Sequence, residues 1–320
     1  MRFVVYGAGA IGGSLGALLS AAGEQVALIA RGAHLEAMRA NGLLLQRPEG
    51  ESRHAIDVFG APREVDWRDG DVVVLAMKTQ DTVDALRSLP PGVPVVTLQN
   101  GVANERMALR LFDEVYPVCV MFPTSHLEPG VVVAHSSPTP GILDIGRYPS
   151  GVEGQAEAIA AAFRAAGFRS EPRADIMRWK YTKLLMNLGN AVEALCPPSE
   201  QRQEIVVKLR EEARAVLDRA GIEFAGEEEN RAYRADAISV KEIAGQPRTG
   251  SSSWQSLARG TGTIEADYLN GEVVLLGRLY GIPTKWNEHA RRLANKAAHQ
   301  KAAPGSLTTE EWLSSLDLVG

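Results

Sequence analysis

The chain has 320 residues, of which 45% are hydrophobic and 23% charged, with a formal net charge of −5. That length suits two domains, and the charge balance gives no support for nucleic-acid binding through a basic surface. No run of about 18 apolar residues free of charge and glycine is present to cross a membrane. Cys119 and Cys196 form no CxxC pair and read as core thiols in a reducing cytoplasm, while six scattered histidines without an H-x-x-x-H pattern give no metal site.

The first element is a short apolar strand, Arg2-Phe3-Val4-Val5-Tyr6, followed at once by Gly7-Ala8-Gly9-Ala10-Ile11-Gly12. The spacing is G-x-G-x-x-G, and it opens a helical run through Leu15, Leu18 and Leu19. In a dinucleotide fold the first glycine makes the tight turn, the second admits a pyrophosphate and the third lets the helix approach the sheet. The helix N-terminus then offers free N–H groups to the phosphates. A secretory leader is the competing reading of Arg2 and the apolar run after it. The glycines that interrupt the run from Gly7 to Gly16 exclude the uninterrupted apolar core such a leader needs.

A second strand, Gln25–Ala30, ends in Arg31-Gly32 with no acid in reach. An acidic residue there would suit the ribose hydroxyls of NAD, whereas an arginine suits the 2′-phosphate of NADP. The predicted cofactor is therefore NADPH, with Arg31 on its 2′-phosphate.

A helix follows from about His34 to Ala40, then a hairpin of Gly42–Gln46 with Arg53–Phe59 around Pro48-Glu49-Gly50. Asp71–Ala76 is a continuous apolar run, as expected of a strand covered on both faces. A helix from Asp81 to Leu89 leads through Pro90-Pro91-Gly92 to a strand at Val95–Leu98. Strands at Pro117–Met121, Val131–Ala134 and Ile142–Ile145 follow. This βαβ rhythm predicts an α/β, doubly wound, mostly parallel sheet of Rossmann type.

The pattern changes near Glu171-Pro172, which predicts a cofactor domain over 1–172 and an all-α domain over 173–320. Predicted helices are 174–195, 202–220, 227–244, 252–280 with a break around Gly260, and 284–298, with breaks at Pro197-Pro198, Gly245–Pro247 and Gly281-Ile282-Pro283. The tail after Ala302 reads as a short closing helix or a frayed end.

Two strand ends carry polar groups able to border a cofactor, Ala76-Met77-Lys78-Thr79 and Leu98-Gln99-Asn100-Gly101. On the helix from 174, Lys180, Lys183, Asn187 and Asn190 recur at three- and four-residue steps and so share one face. A lysine and two amides on an otherwise apolar helix point to a polar cleft, because short asparagines make a poor solvent face. Farther along lie Ser253 and the run Glu265–Gly271, which spacing alone does not bring to the same cleft.

With these motifs the chain resembles the ketopantoate reductase (2-dehydropantoate 2-reductase) family over essentially its whole length. The resemblance rests on the glycine turn, Arg31, Lys78, Asn100-Gly101 with Glu105, Lys183-x-x-x-Asn187, and Ser253 placed twelve residues before Glu265-x-Asp-Tyr-x-Asn-Gly271. It implies an N-terminal Rossmann domain, a helical C-terminal domain and NADPH-dependent reduction of a 2-keto acid in the cleft between them. Lys183 matches the catalytic lysine, which protonates the carbonyl oxygen as hydride reaches the keto carbon. Glu265 matches the acid that orients the lysine or the substrate hydroxyl. Asn187 and Ser253 match substrate-binding positions, Lys78 and Asn100 positions beside the nicotinamide and reacting centre, and Arg31 the 2′-phosphate contact.

The chain departs from the family pattern at three places. Tyr181 stands where a tryptophan usually precedes the lysine by two, with Trp179 displaced. Lys180 thus competes for the catalytic role, but only Lys183 stands four residues before Asn187. The second substrate asparagine usually lies eight residues after the lysine; here that place is Ala191, with Asn190 one residue early. A Pro-Asn-Gly stretch is replaced by Leu195-Cys196-Pro197-Pro198-Ser199-Glu200, which bears on pantoyl specificity. Three functions compete: reduction of ketopantoate, reduction of another bulky 2-oxo acid or an imine, and a non-catalytic NADPH sensor. Retention of Lys183 and Glu265 argues against the sensor. The expected partner is a small 2-keto acid, with neither nucleic acid nor membrane, and a homodimer is an assembly the reading allows.

Overall fold

The computed structural model describes residues 1–243 and 250–316. In chain order the elements are β1 (Arg2–Tyr6), α1 (Ala10–Ala21), β2 (Gln25–Ile29), α2 (Gly32–Asn41), β3 (Leu43–Arg47), β4 (Gly50–His54), β5 (Asp57–Phe59) and β6 (Asp71–Leu75). Then come α3 (Thr82–Arg87), β7 (Val95–Thr97), α4 (Asn104–Leu109), β8 (Val115–Met121), β9 (Thr124–Ser125), β10 (Val131–Ala134), β11 (Ile142–Ile145) and α5 (Gly154–Ala165). The remainder is helical: α6 (Ile176–Asn187), α7 (Asn190–Leu195), α8 (Glu200–Ala220), α9 (Glu227–Arg234), α10 (Ser252–Ala258), α11 (Asn270–Tyr280), α12 (Lys285–His299) and α13 (Thr309–Leu316).

Two compact units result. The first comprises Met1–Asn100, Asn104–Lys180 and Gly226–Arg248, and the second Gly101–Ala103, Tyr181–Ala225 and Thr249–Gly320. The chain leaves the first unit between Lys180 and Tyr181, inside α6.

In the first unit seven strands pair in the order β11-β8-β7-β6-β1-β2-β5. All neighbours are parallel except β11, which runs antiparallel to β8. The chain starts in the middle at β1 and winds first one way, to β2 and β5, then the other, to β6, β7 and β8. The reversal between β1 and β6 is the switch point where open α/β sheets take their ligands. β1, β6 and β7 are apolar because helices or loops cover both faces. Phe3, Val5, Val74 and Val96 pack on one side with α1 and α5, and Val73, Leu75 and Val95 on the other with α3 and α4. A smaller sheet has the order β4-β3-β10-β9. This is the doubly wound Rossmann-type unit that the βαβ rhythm predicts. The second unit is all-α among the described residues.

Four local expectations need correction. The Arg53–Phe59 strand is two elements: β4 closes the hairpin with β3, while β5 leaves it to pair in parallel with Ala27–Ile29. The long helix from 174 breaks after Asn187. The side-chain amide of Asn270 donates to the Leu188 carbonyl at 3.0 Å, and a Cβ on Gly189 would stand 3.1 Å from Val206 Cγ2 of α8. A capped carbonyl and a close helix approach thus fix the break, and Asn190 begins a new helix.

The predicted helix 227–244 stops at Arg234 and belongs to the first unit. Beyond it Val240 forms a bridge with Ser136, and Tyr233 lays its hydroxyl on both Asp144 oxygens at 2.7 Å, with the Arg169 and Arg173 guanidinium groups over its ring at 4.0 and 4.4 Å. The predicted break at Gly245–Pro247 lies outside the described residues. Finally, 252–280 is interrupted more widely than at Gly260 alone, with only a 3-10 turn at Glu265–Tyr268 between α10 and α11.

Candidate active site

The turn from β1 into α1 divides the labour of its glycines. Gly7 has φ +103, and a Cβ there would meet Met77 N at 2.7 Å, so both conformation and space demand glycine. Its N–H and that of Ala8 donate to the Ile29 carbonyl at 3.0 and 3.1 Å, tying the turn to the end of β2. A Cβ on Gly12 would lie 2.3 Å from the Gly7 carbonyl oxygen and 2.8 Å from Ala76 Cβ, so this glycine seats α1 on the sheet. Gly9 is different, because its Cβ would meet nothing within 4 Å. Gly9 caps α1 without a side-chain hydrogen bond, and its carbonyl accepts from Gly13 N. The N–H groups of Ala10, Ile11 and Gly12 therefore have no partner within the helix. An open approach over unpaired helix N–H groups fits a pyrophosphate.

His34, a residue that the sequence reading did not single out, secures this turn from below. Its Nε2 donates to the Ala8 carbonyl at 2.7 Å while Nδ1 accepts from Gly130 N at 2.8 Å, which fixes one neutral tautomer. Burial, and then the neighbouring His126 ring at 4.1 Å between centroids, lower the His34 pKa to about 4. Its separation from its partners along the chain left no motif to find.

Arg31 stands just past β2 as the N-cap of α2; its side chain is 87% exposed and pairs with Asp81 at 3.2 Å. Lys78 stands just past β6 at the head of a 3-10 turn (Thr79–Asp81), and Asn100 follows β7. Gly7, Ala8, Gly9, Ala10, Ile11, Gly12, Arg31, Lys78 and Asn100 thus all gather at the carboxyl ends of parallel strands in the first unit.

Beneath Asn100 lies a buried polar network. Lys180 Nζ and Thr97 Oγ1 both meet Glu105 Oε1 at 2.6 Å, and Lys180 Nζ also donates to the Gln99 carbonyl at 3.0 Å. Gln99 Nε2 donates to the Met77 carbonyl at 3.0 Å and to Thr82 Oγ1 at 2.8 Å. Asn104 accepts from Thr82 at 2.8 Å and donates to the Asn100 carbonyl at 3.1 Å. The ends of β6 and β7 are therefore bound together through side chains. Lys180, the rival for the catalytic role, is committed to Glu105.

The remaining candidates, Lys183, Asn187, Asn190, Ser253 and Glu265, belong to the second unit. Lys183 is half-buried in α6, and Asn187 ends that helix, 7% exposed. Asn190 opens α7, a separate helix from the one that carries Lys183 and Asn187. Its carbonyl accepts from Ser251 Oγ at 3.4 Å, and Ser251 caps α10, which carries the buried Ser253.

Glu265 is 4% exposed at the start of its 3-10 turn. Burial lowers the pKa of Arg259, and the Glu265 charge opposes that shift. The other polar residues of the Glu265–Gly271 run serve packing. Asp267 accepts from Arg291 and Asn295 at 2.8 Å, and Asn270 bonds Leu188 and Asn287. Among the described residues no group of three or more His, Cys, Asp or Glu side chains could hold a metal, and no helix is long and apolar enough to cross a membrane.

Comparison with known proteins adds the chemistry. The ketopantoate reductase PanE/ApbA family matches residues 3–150, and its C-terminal counterpart residues 175–298. A 2-dehydropantoate 2-reductase of Halobacterium salinarum is 32% identical over 302 residues, covering 88% of this chain and 94% of that protein. The crystal structure of a PanE/ApbA family ketopantoate reductase from Ralstonia eutropha JMP134 superposes with a TM-score of 0.79 at 29% identity, covering 94% and 99% of the two chains. D-mandelate dehydrogenase, solved with NADH and anilino(oxo)acetate, shares the fold with a TM-score of 0.80 at 19% identity, again covering 94% and 99%.

Proposed function

This chain belongs to the ketopantoate reductase family, and on that premise we propose that it reduces a 2-keto acid with NADPH, ketopantoate to pantoate being the favoured reaction. It is an oxidoreductase of the 2-dehydropantoate 2-reductase type. The observation that carries the cofactor half is the glycine turn, where space over Gly9 meets unpaired helix N–H groups at the switch point of the sheet. Gly7, Ala8, Gly9, Ala10, Ile11 and Gly12 hold the pyrophosphate, Arg31 the 2′-phosphate, and Lys78 and Asn100 border the nicotinamide. The first unit forms the cofactor half and the second the substrate half, so that the division falls inside α6 and not at residue 172, and Gly226–Arg248 returns to the cofactor half.

NADPH supplies the hydride that reaches C2 of the acid. Lys183 donates the proton to the carbonyl oxygen and, while still charged, stabilises the negative charge growing there. The ion pair of Lys180 with Glu105 counts against Lys180, the other lysine of α6, in this role. Glu265 orients the lysine or the substrate hydroxyl, and Asn187, Asn190 and Ser253 bind the substrate.

A second reading, reduction of another bulky 2-oxo acid, draws on the stretch after α7. The Ala194 and Leu195 carbonyls accept from Gly305 and Leu307, and Cys196 is buried beside Thr308, where the family carries a substrate asparagine nearby.

Steady-state kinetics with NADPH and a panel of 2-keto acids separates the two. Ketopantoate is expected to exceed pyruvate in kcat/KM by roughly 10- to 200-fold, the discrimination a methylene contact or two supplies. Equal values for both acids refute ketopantoate as substrate, and no turnover of any acid refutes the reductase reading.

A further inference from the structure

The ion pair between Lys180 and Glu105 is fully enclosed, with side chains 2% and 0% exposed. Such a pair returns little stability, because the attraction is offset by the loss of hydration of both charges. Here the balance is worse still. Glu105 Oε2 and Gln99 Oε1 are buried with no hydrogen-bond partner among the described residues, and each orphaned acceptor adds a desolvation cost. Replacing such a pair by apolar side chains of the same volume is often neutral or stabilising. The ammonium does one thing an apolar side chain cannot: it takes the Gln99 carbonyl at 3.0 Å. That carbonyl belongs to the peptide joining Gln99 to Asn100. The side chain of Gln99 is meanwhile fixed to Met77, one residue before Lys78.

We propose that Lys180 and Glu105 are positioning residues for the nicotinamide end of the cofactor site. Glu105 holds the ammonium through Oε1, braced by Thr97, and the ammonium sets the peptide that carries Asn100. The pair thus acts on Asn100 through the backbone, without touching cofactor or substrate. The inference rests on the cofactor reading above. It also separates the two lysines of α6 by role, Lys180 holding a strand end and Lys183 serving the reaction.

The test compares NADPH with 2′-phospho-ADP-ribose, which has the same adenine half and pyrophosphate but no nicotinamide. Lys180→Met alone strands a buried carboxylate, which is strongly destabilising, so the main variant is the double replacement Lys180→Met with Glu105→Leu. The double variant is expected to remain folded, although the Thr97 hydroxyl and the Gln99 carbonyl lose their partners, and to bind 2′-phospho-ADP-ribose with unchanged affinity. NADPH binding should weaken measurably, and kcat should fall by roughly 100-fold, as expected for a reacting group displaced by about 1 Å.

Lys180→Arg, which keeps a cation on Glu105, should recover part of both losses. Equal weakening of the two ligands would reduce the pair to a structural role and overturn the proposal. So would a double variant with wild-type NADPH affinity and kcat. A wild-type protein that binds 2′-phospho-ADP-ribose but reduces no acid would instead defeat the reductase reading, and one that binds neither ligand defeats the cofactor reading and this inference with it.

Discussion

Replacing Gly9 and Gly12 separately by alanine should divide cofactor binding from stability, although the two residues lie three apart in one turn. A methyl on Gly12 would be forced to within 2.3 Å of the Gly7 carbonyl oxygen, 2.8 Å of Ala76 Cβ and 3.0 Å of Val5 Cγ1. None of these is the free end of a flexible side chain, so the clash must be relieved by moving α1 off β1 and β6. Overpacking of this kind costs about 3 kcal/mol at the upper end, and the better helix propensity of alanine returns about 1 kcal/mol. The net loss of about 2 kcal/mol corresponds to a fall of roughly 4–8 °C in Tm.

Gly9 has φ −74 and ψ −153, open to alanine, and its Cβ would meet nothing. A weaker N-cap and a less flexible unfolded chain nearly cancel, each amounting to about 0.5–1 kcal/mol. Gly9→Ala should therefore melt with the wild type. Its methyl nevertheless enters the space assigned to the pyrophosphate, and a clash of about 1–3 kcal/mol weakens NADPH by roughly 5- to 150-fold. Thermal melting and titration of NADPH fluorescence read the two effects. A Gly9→Ala protein with wild-type affinity would refute the cradle, and a Gly12→Ala protein with wild-type Tm would refute the packing argument.

Arg31→Ala should weaken NADPH by roughly tenfold or more and leave NADH nearly unchanged, since only the 2′-phosphate loses a charge-assisted bond. Asp81→Asn removes the carboxylate that now holds Arg31, and should raise the NADPH-to-NADH preference by up to about fivefold, the ceiling for an exposed pair; equal effects on both cofactors in competition titrations count against these assignments. Lys183→Ala should lower kcat by roughly 100- to 10,000-fold with NADPH affinity kept, and unchanged turnover in stopped-flow or steady-state assays removes the lysine from its role. The lowered pKa of His34 sets a pH dependence of stability. Its contribution is complete above the ordinary pKa of 6.5 and is lost as pH falls toward 4, because only the unfolded chain accepts the proton in that window. His34→Gln can keep one donor and one acceptor without titrating, so the wild type should lose more stability than this variant between pH 7 and 4.5 in urea melts. Parallel profiles would show that His34 does not titrate as described.

What could be read from the residues alone follows the range of the forces involved. The glycine turn was legible because its three constraints are local: a positive φ at Gly7, a helix start at Gly9 and a helix seat at Gly12 all lie within six residues. Strand β6 was legible because burial on both faces writes a continuous apolar run from Val72 to Leu75. The errors arise where distant partners decide. Residues after Arg234 have helical composition, yet Ser136 offers Val240 a backbone bridge, while Arg169, Arg173 and Asp144 enclose Tyr233. No periodicity within 227–244 encodes those partners. The break after Asn187 is of the same kind, since the side chain that captures the Leu188 carbonyl arrives from Asn270.

The same logic separates the residues that carried the family resemblance. Asp267 and Asn270 belong to the motif as much as Glu265, but their side chains are engaged by Arg291, Asn295, Leu188 and Asn287 to hold the helices of the second unit together. A motif records every residue that must stay, whether for chemistry or for packing, and spacing does not distinguish the two. Lys180 and Lys183 present the problem in its sharpest form, three residues apart on one helix and equal in charge. The partner resolves it. A lysine whose ammonium is already bound at 2.6 Å to a buried carboxylate and at 3.0 Å to a main-chain carbonyl would have to break both contacts to reach a substrate. In the proposed reaction this counts against Lys180 as the proton donor, and the network around Glu105, invisible in the spacing, is the physical reason.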